Sequence, residues 1–412
     1  MNQIDTRKIV LFGAGKIGRS FIGQLFSRGG YEVVFIDINK SLIAELNLRH
    51  NYNVIIKAEK EEIINIINVR GILRDSHEEV TGEVATAGIV AVSVGLEGLS
   101  GTFPLIAEGL VKRYEKNFNA PLDIIIAENI RNGAAYFKKE LGMLLPEQFP
   151  FDDYVGLIET SIGKMVPIML KKDMEQDILQ VFAEPYNTLI LDKKGFKNHI
   201  PEIPGLSPKE NIKAWVDRKL FIHNLGHASA AYAGHLFNPG FTYVYEALAV
   251  PEIHRLVRET MLQSADLLLA RYPGEFSGSM LTDHIDDLLY RFQNRTLGDT
   301  IFRVGCDLFR KLGPEDRLAG GIKTALDLKL PYDRILFILL CAIRFRAVNE
   351  EGRLFQRDAE FIKLFNGSTE NILSEVCSFD NLKEKEVFVR AKELTLLFQN
   401  HDFRTLINEM AV

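Results

Sequence analysis

A short apolar run at residues 8–12, KIVLF, leads directly into Gly13-Ala14-Gly15-Lys16-Ile17-Gly18 and then into a helical pattern carried by Phe21, Ile22, Leu25 and Phe26. Strand, then G-x-G-x-x-G, then helix is the local order that opens a doubly wound α/β domain, and it constrains this chain more than any other stretch. Gly13 permits the tight turn, Gly15 lets a pyrophosphate approach the backbone, and Gly18 lets helix and strand pack closely. Free N–H groups and the positive dipole end of the following helix suit phosphate. A second apolar run at 31–36 ends on Asp37, about twenty residues further on, where a carboxylate can accept hydrogen bonds from ribose hydroxyls and repels a 2′-phosphate. The pattern favours NAD, while Lys40 close by keeps NADP open. No G-x-x-x-x-G-K-[ST] loop is present.

Two further strands should join the same sheet. Residues 88–94 run into Gly95, which places Val94 and Gly95 at the carboxyl edge, where open α/β sheets bind ligands. The expected cofactor contacts are Phe12, Gly13, Ala14, Gly15, Lys16, Ile17, Gly18, Asp37, Val94 and Gly95. Residues 122–127 form the next strand and end at Glu128-Asn129; Asn129 either reaches a substrate from that edge or caps the turn before Arg131-Asn132-Gly133. Apolar alternation between 154 and 193, as at 155–159 and 188–191, reads as added strands covering the sheet, with antiparallel pairing allowed. Pro201, Pro204 and Gly205 mark a hinge. Beyond it helical periodicity prevails, at 250–271, 281–294, 302–312, 322–328, 333–348, 358–364 and 383–398. The expectation is an α/β N-terminal Rossmann-type domain, its sheet mostly parallel with added strands, over 1–204, and an all-α C-terminal domain over 205–412.

At 412 residues the chain exceeds one ordinary core, and 47% apolar with 25% charged residues is the balance of a globular protein. No apolar run reaches membrane-spanning length and the first residues, MNQIDTRKIVLFGAG, have no charged-then-apolar leader, so the expected location is the cytoplasm with no membrane partner. A net charge of −6 argues against nucleic acid. Cys306, Cys341 and Cys377 lack C-x-x-C spacing, so neither a disulfide framework nor a metal site is expected.

Residues 207–240, SPKENIKAWVDRKLFIHNLGHASAAYAGHLFNPG, carry the most concentrated chemistry of the second half. Ser207, Pro208 and Glu210 match an S-x-x-E capping box with proline at the first helical position, which predicts a helix start; Asn238-Pro239-Gly240 predicts its stop. Such a helix spans about 45 Å. At about 100° per residue, Lys219, His223, Asn224 and His227 leave at about 0°, 40°, 140° and 80°, all from one side. One reading is a solvated or hydrogen-bonded face. The other follows from Leu220, Phe221, Ile222 and Leu225 between them: burial strips the lysine of water and lowers its pKa until it can take a proton from an alcohol. Gly226, Ala228, Ala230, Ala231, Ala233 and Gly234 make the helix thin, which suits close approach by another helix, by backbone or by a flat cofactor.

FGAGKIGRSFIG at 12–23, LNLRHNYNV at 46–54, FKNHIPEIPG at 196–205 and RKLFIHNLGHA at 218–228 resemble the polyol-specific long-chain dehydrogenases. The likeness continues through RFQN at 291–294 and FRKLGPEDRL at 309–318 and thins after about residue 345; its most diagnostic part is K-x4-N-x2-H, here Lys219, Asn224 and His227. This resemblance implies metal-independent hydride transfer between NAD and a secondary alcohol of a sugar alcohol or sugar phosphate, in an active site between the domains. It makes Lys219 the general base, Asn224 and Asn129 donors to the reacting oxygen, and His227 the group that holds hydroxyl and lysine in register. The chain departs from the pattern where family members commonly carry Asp-Arg and this one has Gly163-Lys164, where Arg295 replaces a usual proline, and at Val216, where some relatives have a relay glutamate. Asp217 is turned about 100° away from that position. These changes leave open which polyol, sugar phosphate or hexuronate is used, and keep a non-catalytic NAD-binding sensor as the rival reading. For the substrate, His223 shares the lysine's face. Arg303 and Arg310, seven apart on one predicted helical face with Lys311 and Arg317 behind, either clamp a phosphate dianion or form a solvated basic face.

Overall fold

A computed structural model describes residues 3–116, 120–169 and 171–410, in two compact units, Met1–Val216 and Asp217–Val412. The first contains strands β1 (Asp5–Phe12), β2 (Glu32–Asp37), β3 (Asn51–Ile56), β4 (Glu62–Ile67), β5 (Val69–Leu73), β6 (Ala87–Val92), β7 (Leu122–Ile126), β8 (Val155–Ser161), β9 (Val181–Ala183), β10 (Leu189–Asp192) and β11 (Leu206–Lys209). The main sheet runs β11-β10-β8-β7-β6-β1-β2-β5, and β4-β3-β9 form a second, smaller sheet. From β5 through β2, β1, β6 and β7 to β8 every pairing is parallel. Taken in chain order, that is the 3-2-1-4-5-6 arrangement of a dinucleotide-binding fold, with its topological switch between β1 and β6.

Burial on both faces explains the near-continuous apolar runs in these strands. Ile9, Leu11, Val33, Phe35, Ile89 and Ala91 enter the core on one side of the sheet; Val10, Phe12, Val34, Ile36, Val90 and Val92 enter the core on the other. The run at 155–159 is not a covering strand but the sixth parallel strand, β8, with Leu122 paired to Val155 and Ile126 to Glu159. In the main sheet antiparallel pairing begins only at β10, where Ile190 faces Ser161, while β3 and β4 of the smaller sheet are also antiparallel.

The capping-box expectation at 207–210 fails. Ser207, Pro208 and Lys209 extend along β10 as strand β11, and helix begins at Ile212. Backbone pairing with a strand that precedes it in the chain outweighs the local capping signal. From there Ile212–Arg218, Lys219–Asn224 and Leu225–Phe237 follow without a break in helical backbone, and the middle segment is a π-helix. Its i→i+5 spacing replaces the 100° step assumed from sequence, and it brings Lys219 and Asn224, five apart, toward one line.

In the second unit, Leu225–Phe237 is buried along nearly its whole length. Its thinness serves helix packing: a Cβ on Gly226 would strike Met261 of the helix Pro251–Arg271, and one on Gly234 would strike Ala247 of Val244–Leu248. Gly278–Phe292, Ala319–Leu328, Asp333–Ile343, Gln356–Phe365 and Lys385–Asn400 are further helices of this unit. The single helix expected at 302–312 is two, Ile301–Gly305 and Leu308–Lys311, broken at Asp307 with φ 73°. The cause lies far along the chain. Asp358 accepts hydrogen bonds from the Asp307 and Leu308 amides at 3.0 and 2.7 Å, supplying the start of the second helix with a remote carboxylate cap.

Candidate active site

In the first unit the glycine loop leaves β1 as a turn held from every side. The Gly13 amide donates to the Ile36 carbonyl at 2.8 Å with φ 97°, and any Cβ there would run into the Ser93 carbonyl. A Cβ on Gly18 would meet the Gly13 carbonyl. Gly15 is different: nothing lies within 4 Å of where its Cβ would be. Two of the three glycines are thus required by the fold, while the third keeps open a space that a pyrophosphate fits. Gly15 and Lys16 are exposed, Ile17 is partly so, and Phe12, Gly13, Ala14 and Gly18 are buried.

Ala14 is clamped at both polar groups. Asp37 Oδ2 accepts from its amide at 2.7 Å, and the buried Arg19 donates Nε to its carbonyl at 2.7 Å. Asp37 Oδ1 also accepts from the Asn39 amide at 2.9 Å, so the carboxylate at the end of β2 has a structural task of its own. After β6, the amides of Val94 and Gly95 donate to one oxygen of Glu128, at 2.6 and 2.8 Å. Burial raises the Glu128 carboxyl pKa while those two amides pull it down. Glu128 therefore ties the loop after β6 to the loop after β7, on which Asn129 stands exposed. Sequence reasoning passed over Arg19 and Glu128. The position of Glu128, directly after an apolar strand and before Asn129, was the available signal.

In the second unit the π turn carries Lys219, partly buried, and His223, buried; His227 lies one turn further on. Burial, with the Arg317 guanidinium beside it, brings the Lys219 ammonium down to about 8. His223 is held well below its ordinary value by burial and by Arg291, His227 and Lys219. His227 stacks on Phe292, ring centroids 4.6 Å apart. Its Nε2 lies 3.1 Å from Asp299 Oδ2, at an angle that does not make a hydrogen bond. Burial first, then Arg303, Lys311, Arg317 and Arg291, depress it to about 3, so its imidazole is neutral across the working pH range.

The break at Asp307 removes the common helical face proposed for Arg303 and Arg310. Arg303 pairs with Asp299, and Arg310 is exposed and paired with Asp307 at 2.5 Å and Asp316 at 3.5 Å. Lys311 is buried instead, donates to the Val304 carbonyl at 2.6 Å, and is lowered to about 8 by burial and Arg317. The departures from the family pattern also acquire places. Lys164 is buried and donates to the carbonyls of Glu184 and Tyr186 and to Asn187 Oδ1, the last at 2.9 Å, so it braces a loop. Asp217, beside Val216, is fully buried and accepts from the Tyr272 hydroxyl at 2.5 Å. Asn294 Oδ1 accepts from the Thr296 amide at 3.0 Å, and Arg295 is exposed over the Tyr245 ring. Among the described residues, no group of His, Cys, Asp and Glu is placed to hold a metal ion, and no helix is long and apolar enough to cross a membrane.

A Rossmann unit followed by a helical unit whose long helix carries Lys219, Asn224 and His227 defines a family, and the comparisons agree. Residues 7–205 match the mannitol dehydrogenase Rossmann domain and residues 211–395 the mannitol dehydrogenase C-terminal domain. The chain belongs to the mannitol dehydrogenase family. In fold it is similar to Pseudomonas fluorescens mannitol 2-dehydrogenase, solved as a ternary complex with NAD and D-mannitol: TM-score 0.76, 16% identity, 98% of this chain and 94% of that one covered. It is likewise similar to a D-sorbitol dehydrogenase solved in substrate-free form, with TM-score 0.79, 16% identity and coverage of 98% and 95%.

Proposed function

We propose that the protein is an NAD-dependent polyol dehydrogenase that interconverts D-mannitol 1-phosphate and D-fructose 6-phosphate. The observation that carries this reading is Lys219: an amine brought to about 8, on one turn with Asn224 and about two turns before a neutral His227. The glycine loop fits NAD, since Gly15 keeps its outer side open, and Asp37 stands at the end of β2 for the ribose. The loop residues from Phe12 to Gly18, with Asp37, Val94 and Gly95, would hold the cofactor. When bound, NAD takes up or returns the hydride.

The chain's own residues move the proton and steady the oxygen. Neutral Lys219 takes the hydroxyl proton in oxidation and returns it in reduction. Asn224 and Asn129 donate hydrogen bonds to the reacting oxygen as it gains negative character. His227 holds the hydroxyl against the amine, and buried His223 adds no charge of its own to the same face. A phosphorylated substrate is supported by the charge around His227, on which Arg291, Arg303, Lys311 and Arg317 all bear. The carboxylates paired there are Asp299 with Arg303, Asp316 with Arg317 and Asp287 with Arg291, which leaves the charge of Lys311 over. Lys311 uses one of its three N–H groups on Val304, so it is better placed for a phosphate than the engaged, exposed Arg310.

Oxidation of free mannitol to fructose is the second reading, favoured by the fold likeness to mannitol 2-dehydrogenase along nearly the whole chain. Initial rates of NADH consumption with fructose 6-phosphate, fructose, tagaturonate and fructuronate separate the choices. The highest kcat/KM is expected for fructose 6-phosphate; a preference for free fructose rejects the phosphate assignment. Flat traces with every ketose, with NADH still bound, would indicate the sensor.

A further inference from the structure

Arg317 precedes the helix Ala319–Leu328 and is 8% exposed. Its Nη1 donates to the Asn224 carbonyl at 3.2 Å and its Nε to Asp316 Oδ1 at 2.7 Å. Asn224 closes the π turn that starts at Lys219, and ordinary α-helix resumes after it. A π turn inside an α-helix is rare and needs contacts from elsewhere in the fold to hold its register. We infer that Arg317 is a positioning residue: its guanidinium, oriented by Asp316, pins the carbonyl at the end of the wide turn and thereby fixes where Lys219 and Asn224 point. This rests on the reading of Lys219 as the general base.

The same group is a permanent cation whose charge helps lower that amine. Several neighbouring charged and titratable groups bear on other residues. His223 on the same turn is neutral; from Gly278–Phe292, Arg291 and His284 bear on His223; at the end of Pro251–Arg271, Arg271 and Tyr272 face Asp217. Burial first, and Arg317 second, discourage protonation of Lys219. A lysine in its place would keep the charge but could not reproduce the fork that spans Asp316 and Asn224.

Full-length R317K and R317Q test the inference through polyol oxidation rates from pH 7 to 10 and NADH binding followed by fluorescence. R317Q should move the rising limb of the profile upward by about one pH unit, because the amine loses its cationic neighbour. R317K should leave the limb in place and lower turnover about tenfold through looser placement of the base. NADH affinity should stay within about twofold of wild type in both. A limb in R317Q that overlays wild type, or R317K turnover equal to wild type, overturns the role. Should R317Q fail to fold, R317K alone decides by the same criterion. Retained turnover in Lys219→Ala would instead overturn the base assignment beneath it.

Discussion

Placing Lys219 at about 8 fixes the pH dependence of polyol oxidation. Oxidation needs the neutral amine. With a pKa of about 8, about 9% of it is neutral at pH 7 and about 91% at pH 9, so kcat/KM should rise about tenfold between those values and then level off. A lysine at the ordinary 10.5 would be about 0.03% neutral at pH 7 and about 3% at pH 9, a rise of about a hundredfold with no plateau. A phosphate monoester is already dianionic over this range, its second pKa being about 6, so the substrate adds no limb of its own. The assay is the initial rate of NADH formation at low polyol and saturating NAD, in buffers of constant ionic strength from pH 7 to 10. In the reverse direction the protonated amine is required, and reduction should fall across the same interval. Oxidation rates that keep climbing about tenfold per unit beyond pH 9, or that stay flat from 7 to 9, would refute Lys219 as a base brought to about 8.

Three other perturbations have separable outcomes. Gly15→Ala should keep the melting temperature and lose NAD affinity, because the added methyl meets only the open cofactor side, whereas Gly13→Ala should destabilise the first unit through its φ of 97° and the Ser93 carbonyl; equal melting losses in both would contradict the distinction. Asp37→Ser should weaken NAD binding about tenfold and relax discrimination against NADP, and it also frees the Ala14 amide; unchanged discrimination in paired titrations would leave Asp37 as a loop clamp only. Lys219→Met should stabilise the protein by at most about 3–4 kcal/mol at pH 7, since the folded-state value lies below the unfolded one and burial of the charged form is unfavourable. That gain is full below about 8 and should vanish as pH rises toward 10.5, as thermal melts at pH 7 and 10 can measure.

The parts of this fold that depend on local chemistry were readable before any coordinates. Gly13, Gly15, Gly18 and Asp37 are spaced by the geometry of one turn and one crossover, and the alternating cores of β1, β2 and β6 follow from their apolar runs. The errors occur where distant chain decides. Ser207, Pro208 and Glu210 spell a helix start, but β10 offers ladder partners and Ser207 becomes strand. The run at 302–312 has helical periodicity, but the Asp358 carboxylate, about fifty residues away, starts a new helix inside it. The neighbouring rings of His223 and His227 were legible, while the π turn that alters the position of Asn224 was not, because register within a helix is set by what packs on it. Glu128 and Arg19 act through backbone groups of other segments, which leaves little trace in residue spacing.

The most direct test of the central claim is Lys219→Ala, assayed for polyol oxidation and for NADH binding on the same preparation. Loss of the general base should lower turnover about 10²–10⁴-fold while NADH affinity changes by less than about twofold. Turnover within a few-fold of wild type would remove Lys219 from the chemistry.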